Sequence, residues 1–219
     1  MYLYLSLALT IAAGISFVYG LYRFFREKSP LYVRMIVLGI GCAMLGRLFT
    51  TLLVLVNGEV FEGFSVGMLG IIGSFLFFFS ANFGQIDSIV DDGSPKFRKT
   101  RIIALAAPVT VALIWCVGAA IVGVNKTTVW VGIEMLFLAL ASYYHLKHLI
   151  IEDVESGLIS SIRSYNLLAL IYAFLCIMEV LLECFSVPTF VIVIVYILEC
   201  AVLLAFVPVL ERGIKKWTI

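Results

Sequence analysis

Charge is what this sequence has little of. Charged residues make up 13% of its 219 positions and hydrophobic residues 63%, against roughly a quarter and a half in soluble globular domains. A water-soluble globule is excluded, because it must cover itself with polar groups. Histidine is scarce too, with only His145 and His148, so a metal centre built from several imidazoles is excluded. The five cysteines form no C-x-x-C pair, which removes the common zinc and redox motifs and leaves them as small packing residues. No basic stretch precedes the first apolar run, and no small-residue cleavage site follows it, so that run is expected to stay as a helix and not to be cleaved as a signal peptide.

What fills the chain is apolar sequence in lengths that fit a bilayer. A spanning helix needs about 20 mainly apolar residues, since the backbone must satisfy its own hydrogen bonds in lipid. Seven such runs are present: Tyr2–Phe24, Tyr32–Val56, Ser65–Gln85, Ile102–Val122, Thr128–Ile150, Ser164–Cys184 and Thr189–Leu210. The expected fold is all-α: a single seven-helix transmembrane domain over residues 1–219, with almost nothing left for a soluble domain. The protein is expected in the cell membrane, crossing it several times.

The basic residues give the orientation. Thirteen of the fifteen fall at one set of connections: Arg23, Arg26, Lys28 and Arg34 after the first run; Lys96, Arg98, Lys99 and Arg101 after the third; Lys147 and Arg163 after the fifth; and Arg212, Lys215 and Lys216 after the seventh. The other side has Lys126, with Glu59 and Glu62. Lys and Arg concentrate on the cytoplasmic side of membrane proteins, so the N-terminus is predicted outside and the C-terminus in the cytoplasm.

The remaining basic residue is Arg47, inside the stretch CAMLGRLFTTLLVL. At 1.5 Å per residue it lies about 14 Å below the outer end of its run, near the bilayer middle. An ionisable group there is expensive and marks a functional site by default. Three other runs carry one apolar-embedded carboxylate each: Glu134, Glu179 and Glu199. By the same count Glu199 is about 15 Å down and the other two about 8 Å, so Arg47–Glu199 is the expected ion pair, with Glu134 and Glu179 one to two turns above. Three carboxylates cannot all ionise around one guanidinium at low dielectric, which leaves a position for a proton, a metal ion or an amine.

Helical spacing extends this cluster into faces. Tyr172, Cys176, Glu179 and Glu183 share one stripe, Tyr196, Glu199 and Cys200 another, and Arg47, Thr50 and Thr51 a third, as residues three, four and seven apart do on a helix. Together they are expected to line one polar cavity opening outward, with Arg47, Glu134, Glu179, Glu199, Tyr172, Tyr196 and Thr50 as ligand-binding residues. Toward the cytoplasm, Asn82, Gln85, Ser142, Tyr143, Tyr144, Tyr165 and Asn166 add polar groups at helix ends, and His145 and His148 read as interfacial. SFLFFFSANF, Ser74–Phe83, reads as core filling or lipid-facing, not as a ligand cage.

The layout invites comparison with known seven-helix families. Retinal proteins also have seven helices, but the last run here, TFVIVIVYILECAVLLAFVPVL, has no lysine for a Schiff base. The layout is similar to the three-plus-one-plus-three transporters of the SWEET type: YRFFR and YHLKH each end a run and precede the run carrying Arg47 or Glu179. The Pro-Gln signature of that family is absent, and the first and fifth runs contain no proline, so the likeness is of layout alone.

The function expected from these residues is transport of a small cationic or zwitterionic solute, with proton coupling available through the carboxylates. The alternatives are a seven-helix sensor signalling through a partner protein, or a subunit of a larger membrane complex. The expected partners are the lipid bilayer, a small polar or cationic solute, and a membrane partner protein or second copy of the chain; no nucleic acid, cofactor, metal or catalytic activity is expected. In a cysteine-free background, Thr127→Cys should react with an impermeant thiol reagent applied to intact cells and Ser94→Cys should not. Labelling of Ser94→Cys alone would reverse the orientation.

Overall fold

The computed structural model is all-helical and describes residues 2–26, 29–58, 63–152, 157–184 and 187–217. Lys28, Glu59 and Glu62 lie outside the described residues, as do the side chains of Gln85, Glu183 and Lys216. Seven helices are long and apolar enough to cross a membrane, which fits a multi-pass membrane protein. In chain order they are α1 (Tyr2–Phe24), α2 (Leu31–Asn57), α3 (Val66–Val90), α4 (Pro95–Val122), α5 (Lys126–Ile150), α6 (Leu158–Cys184) and α7 (Thr189–Trp217). Short connections turn each helix back on the last, so α1, α3, α5 and α7 begin at one end of the bundle. That end is called the N-terminal end below.

Several helices outrun their apolar runs. α6 begins at Leu158 and α7 continues to Trp217, where Glu211 takes an ion pair from Lys215 one turn on (2.8 Å), another from Arg23 of α1, and a hydrogen bond donated by the Tyr19 hydroxyl (2.7 Å). Hydropathy finds the part of a helix that avoids water, and the polar turn beyond it is held by such contacts instead. Caps fix the starts of α3 and α5: Ser65 accepts from the Gly67 amide, and Asn125 and Thr128 satisfy each other's backbone in a capping box, supplying partners for otherwise orphaned amides.

Two helices are irregular. In α3 the α-helix over Val66–Ala81 widens into a π-helical turn at Asn82–Asp87, a form that appears mostly as short bulges and often at functional sites. α4 breaks at Leu105. Pro108 explains the break, since it lacks an N–H and its ring crowds the carbonyl four residues earlier.

Six helices close a ring in the order α1, α2, α3, α5, α6, α7 and back to α1, while α4 stands outside it against α5 and the edge of α6. Accordingly only 17% of the apolar stretch of α4 is buried, against 33–50% in the other six. The chain thus has three ring helices on either side of one peripheral helix. Glycines set the closest approach, between α2 and α3. A Cβ on Gly46 would lie 2.6 Å from the Gly67 carbonyl oxygen and 3.0 Å from the Gly70 Cα, so these backbones meet with no side chain between them. With Gly46 held against α3, the next residue, Arg47, is turned about 100° around the helix, toward the ring interior.

The middle of the ring is aromatic. Phe75 stacks on Tyr172 at 5.7 Å and Phe78 on Phe206 at 5.6 Å, with Phe78–Tyr172 and Tyr172–Phe206 meeting edge to face. These side chains are fully buried, and such pairs add about 0.5–1.5 kcal/mol beyond area burial. Of the SFLFFFSANF phenylalanines, Phe75 and Phe78 form this layer and Phe83 is exposed. The layer divides the ring into two polar halves.

Candidate ligand-binding cavity

Toward the N-terminal end, Arg47 is shared by two carboxylates. Its Nη1 donates to Glu179 Oε1 (2.9 Å) and its Nη2 to Glu179 Oε2 (2.5 Å), a two-pronged pairing; Nη2 also donates to Glu199 Oε1 (2.5 Å). Planar guanidinium and carboxylate match best in this forked geometry. Glu179 was expected one to two turns above the Arg47–Glu199 pair, yet it is the better-bonded partner. The reason is the direction of side chains on a helix, which lean toward its N-terminus. Glu179 on α6 therefore leans away from the N-terminal end of the bundle, and Glu199 on the oppositely running α7 leans toward it. The two carboxylates converge on one level.

Glu199 is completely buried, whereas the side chains of Arg47 and Glu179 each keep 12% of their surface. Glu199 Oε2 and Arg47 Nε have no hydrogen-bond partner among the described residues. A hydroxyl cluster anchors the same level on α1 and α2: Thr51 donates to the Arg47 carbonyl (2.8 Å) and meets the hydroxyls of Ser6 (2.6 Å) and Thr10 (2.9 Å).

A cavity of about 140 Å³ opens above this clamp, with Arg47, Glu134, Glu179, Thr50, Tyr196 and Ser6 in its wall. Five of the seven expected ligand residues therefore share one space. Glu199 lies behind Arg47, and Tyr172 belongs to the aromatic layer below, fully buried against Phe75. A stripe on a helix shows which residues share a face, not how deep the cavity on that face reaches, which is why Tyr172 was grouped with the wall.

The opposite half holds a second network that the sequence reading did not assemble. His145 and His148 are not interfacial; both are fully buried, because α3 and α6 cover that face of α5. Asn82, at the start of the π turn, donates its Nδ2 to the Phe78 carbonyl (3.1 Å) and toward His145 Nδ1 (3.1 Å), while its Oδ1 faces His148 Nδ1 (2.8 Å). The bond to a backbone carbonyl fixes which end of the amide is nitrogen, so His148 Nδ1 must carry a proton, while His145 Nδ1 lies between the Asn82 nitrogen and Asn166 Oδ1 (2.8 Å). His148 Nε2 in turn meets Asp87 Oδ1 (3.0 Å). Lys147, counted above among the loop cations, is buried and pairs with Asp87 (2.6 Å) and Asp91 (2.5 Å). Arg101 closes the chain by donating to both oxygens of Asp91 (2.8 and 2.6 Å). The signal available in sequence was the four-residue spacing of Asp87 and Asp91 just past an apolar run, opposite the Lys147-His148 pair.

No protein-family model, curated protein or solved structure matches the chain. Among the described residues no group of three His, Cys, Asp or Glu side chains is arranged to hold a metal ion.

Asp91, in the connection between α3 and α4, titrates in a way that can be tested. The Arg101 hydrogen bonds hold its carboxyl well below the usual carboxylate range against the opposing effect of burial, and Lys147 adds to this. A depressed folded-state value contributes stability that is present above the unfolded value of about 4 and is lost as pH falls below it. Thermal unfolding of the purified protein between pH 7 and 3 should show that decline. Asp91→Asn should lower the melting temperature by several degrees at pH 7 and flatten the acid-side slope; an unchanged slope would exclude Asp91 as its source.

Proposed function

We propose that the chain carries a small cationic or zwitterionic solute across a membrane, with its N-terminal end outside the cell and its C-terminus in the cytoplasm. One observation supports the solute's charge: Glu134 and Glu179 stand with Arg47 in the cavity wall, and Glu199 pairs with Arg47 from behind, three acidic groups for one basic group. Arg47 already serves two carboxylates, so the cavity wall favours an incoming positive charge over a negative one. In a space walled by apolar helices that preference is stronger than in water. A solute with an ammonium and a carboxylate fits the same wall, with its carboxylate drawn to Arg47 and its ammonium to Glu134.

Transport draws on two further features. Ionisable groups near the middle of a membrane mark solute and ion pathways, and transporter sites sit near the midplane, where two halves of a structure alternate in access. Here one polar half lies on each side of the aromatic layer, and opening that layer would join them. As a carrier, the chain leaves its solute chemically unchanged. The outward orientation rests on the asymmetry of Lys and Arg between the connections.

The closed aromatic layer also favours a second reading, a sensor that binds its solute in the same cavity and passes the signal to a membrane partner protein. Uptake separates the two. Full-length protein in proteoliposomes should accumulate at least one labelled probe among methylammonium, choline and glycine. Glu134→Gln should lower that uptake by roughly tenfold, the worth of one charge-assisted contact, with little change in thermal stability. Saturable binding without uptake would replace the carrier with the sensor; neither binding nor uptake of any cationic or zwitterionic probe would remove both readings.

A further inference from the structure

A second, larger cavity adjoins the charged one. It measures about 870 Å³ and runs between the peripheral helix α4 and the ring helices α5 and α6, with Trp115, Gly118, Ala119 and Val122 on one side and Met135 and Ile177 on the other. Tyr2, Gly63, Thr127, Val131 and Val180 belong to the walls of both cavities, so the groove and the charged pocket adjoin across these residues. The groove exists because α4 stands outside the ring. Near the N-terminal end α4 is tied to α5 by Trp115, whose indole N–H donates to the Thr128 carbonyl (3.0 Å). Gly132 makes room for that indole: a Cβ there would lie 2.9 Å from it. About one turn nearer the N-terminal end than Trp115, small residues leave space, and a Cβ added to Gly118 would meet nothing within 4 Å.

Resting on the cationic preference argued above, we propose that the solute class is a single-chain cationic amphiphile, whose ammonium head occupies the pocket of Glu134, Glu179 and Arg47 and whose alkyl chain lies in the groove between α4 and α6. The occupant follows from two properties together. The pocket has an excess of carboxylates, which selects a positive head. Along α4 and α6 the groove is lined by apolar side chains, with Asn125, Lys126, Thr127 and Thr128 confined to the start of α5 at its N-terminal end, so a chain can remain in an apolar phase while the head leaves the interface for the pocket. A purely hydrophilic cation would fill only the smaller cavity, and an anionic amphiphile would set its head against the carboxylates.

The test uses the full chain in phosphatidylcholine nanodiscs, titrated with tetramethylammonium and with dodecyltrimethylammonium, empty nanodiscs correcting for partition into lipid. Dodecyltrimethylammonium should bind more tightly than tetramethylammonium after that correction. Gly118→Phe, whose Cβ has no atom within 4 Å, places a ring in the groove and should weaken dodecyltrimethylammonium roughly tenfold, about the worth of two buried methylenes, while leaving tetramethylammonium unchanged. Glu134→Gln should weaken both. If Gly118→Phe leaves the long-chain ligand unaffected, the chain lies in bulk lipid and the proposal fails while the cation site stands. If neither ammonium binds the unmodified protein, the cation site fails and this proposal with it. Tighter binding of dodecyl sulfate than of the ammonium would overturn the assignment of head charge.

Discussion

The structure turns on one guanidinium held away from water. An unpaired Arg47 in an apolar bundle is strongly unfavourable, and its forked bond to Glu179 together with the bond to Glu199 ties α2, α6 and α7 at one level. Those three helices lie at separate positions of the six-helix ring. The clamp therefore fixes the ring across its interior, where side-chain packing between neighbours cannot. The glycine contact of α2 with α3 aims the arginine, and the hydroxyls of Ser6, Thr10 and Thr51 hold its backbone. Each of these features is local, and the clamp is what makes them act together.

Below the clamp the aromatic layer insulates one polar half from the other. Above it lies an open cavity with an acidic wall; below it the π turn of α3 brings Asn82 and Asp87 to the buried histidines of α5. The second network runs through paired side chains from Asn82 by way of His148, Asp87, Lys147 and Asp91 to Arg101, while the first places acidic side chains in a cavity wall. The two halves differ in accessibility more than in composition. That difference is why the proposed solute site is placed in the upper half alone.

Much of this was legible because charge is so rare in the chain. A lone Arg47 in an apolar run demands partners, and only three carboxylates were embedded deeply enough to supply them. The seven helices followed from run length for the same reason. Other features left weaker traces. Glu179 was misplaced because depth counted along a helix ignores the lean of its side chain. His145, His148 and Lys147 were read as interfacial or loop residues because they end a run, and nothing local reveals that α3 and α6 cover them. The exclusion of α4 from the ring is equally silent, since a helix facing lipid and one facing protein are both apolar throughout. The π turn leaves no periodic mark at all.

The central claim is that the cavity above Arg47 prefers positive charge, and an isosteric pair tests it most directly. Choline and 3,3-dimethylbutan-1-ol have nearly the same shape and differ by one charge. Calorimetric titration of the full-length protein should show choline binding roughly tenfold or more tightly than the alcohol, as a charge-assisted contact implies, with the preference lost in a Glu134→Gln, Glu179→Gln double variant. Equal affinity for the two, or a preference that survives the double variant, would contradict the account and leave the Arg47 clamp as a purely structural tie.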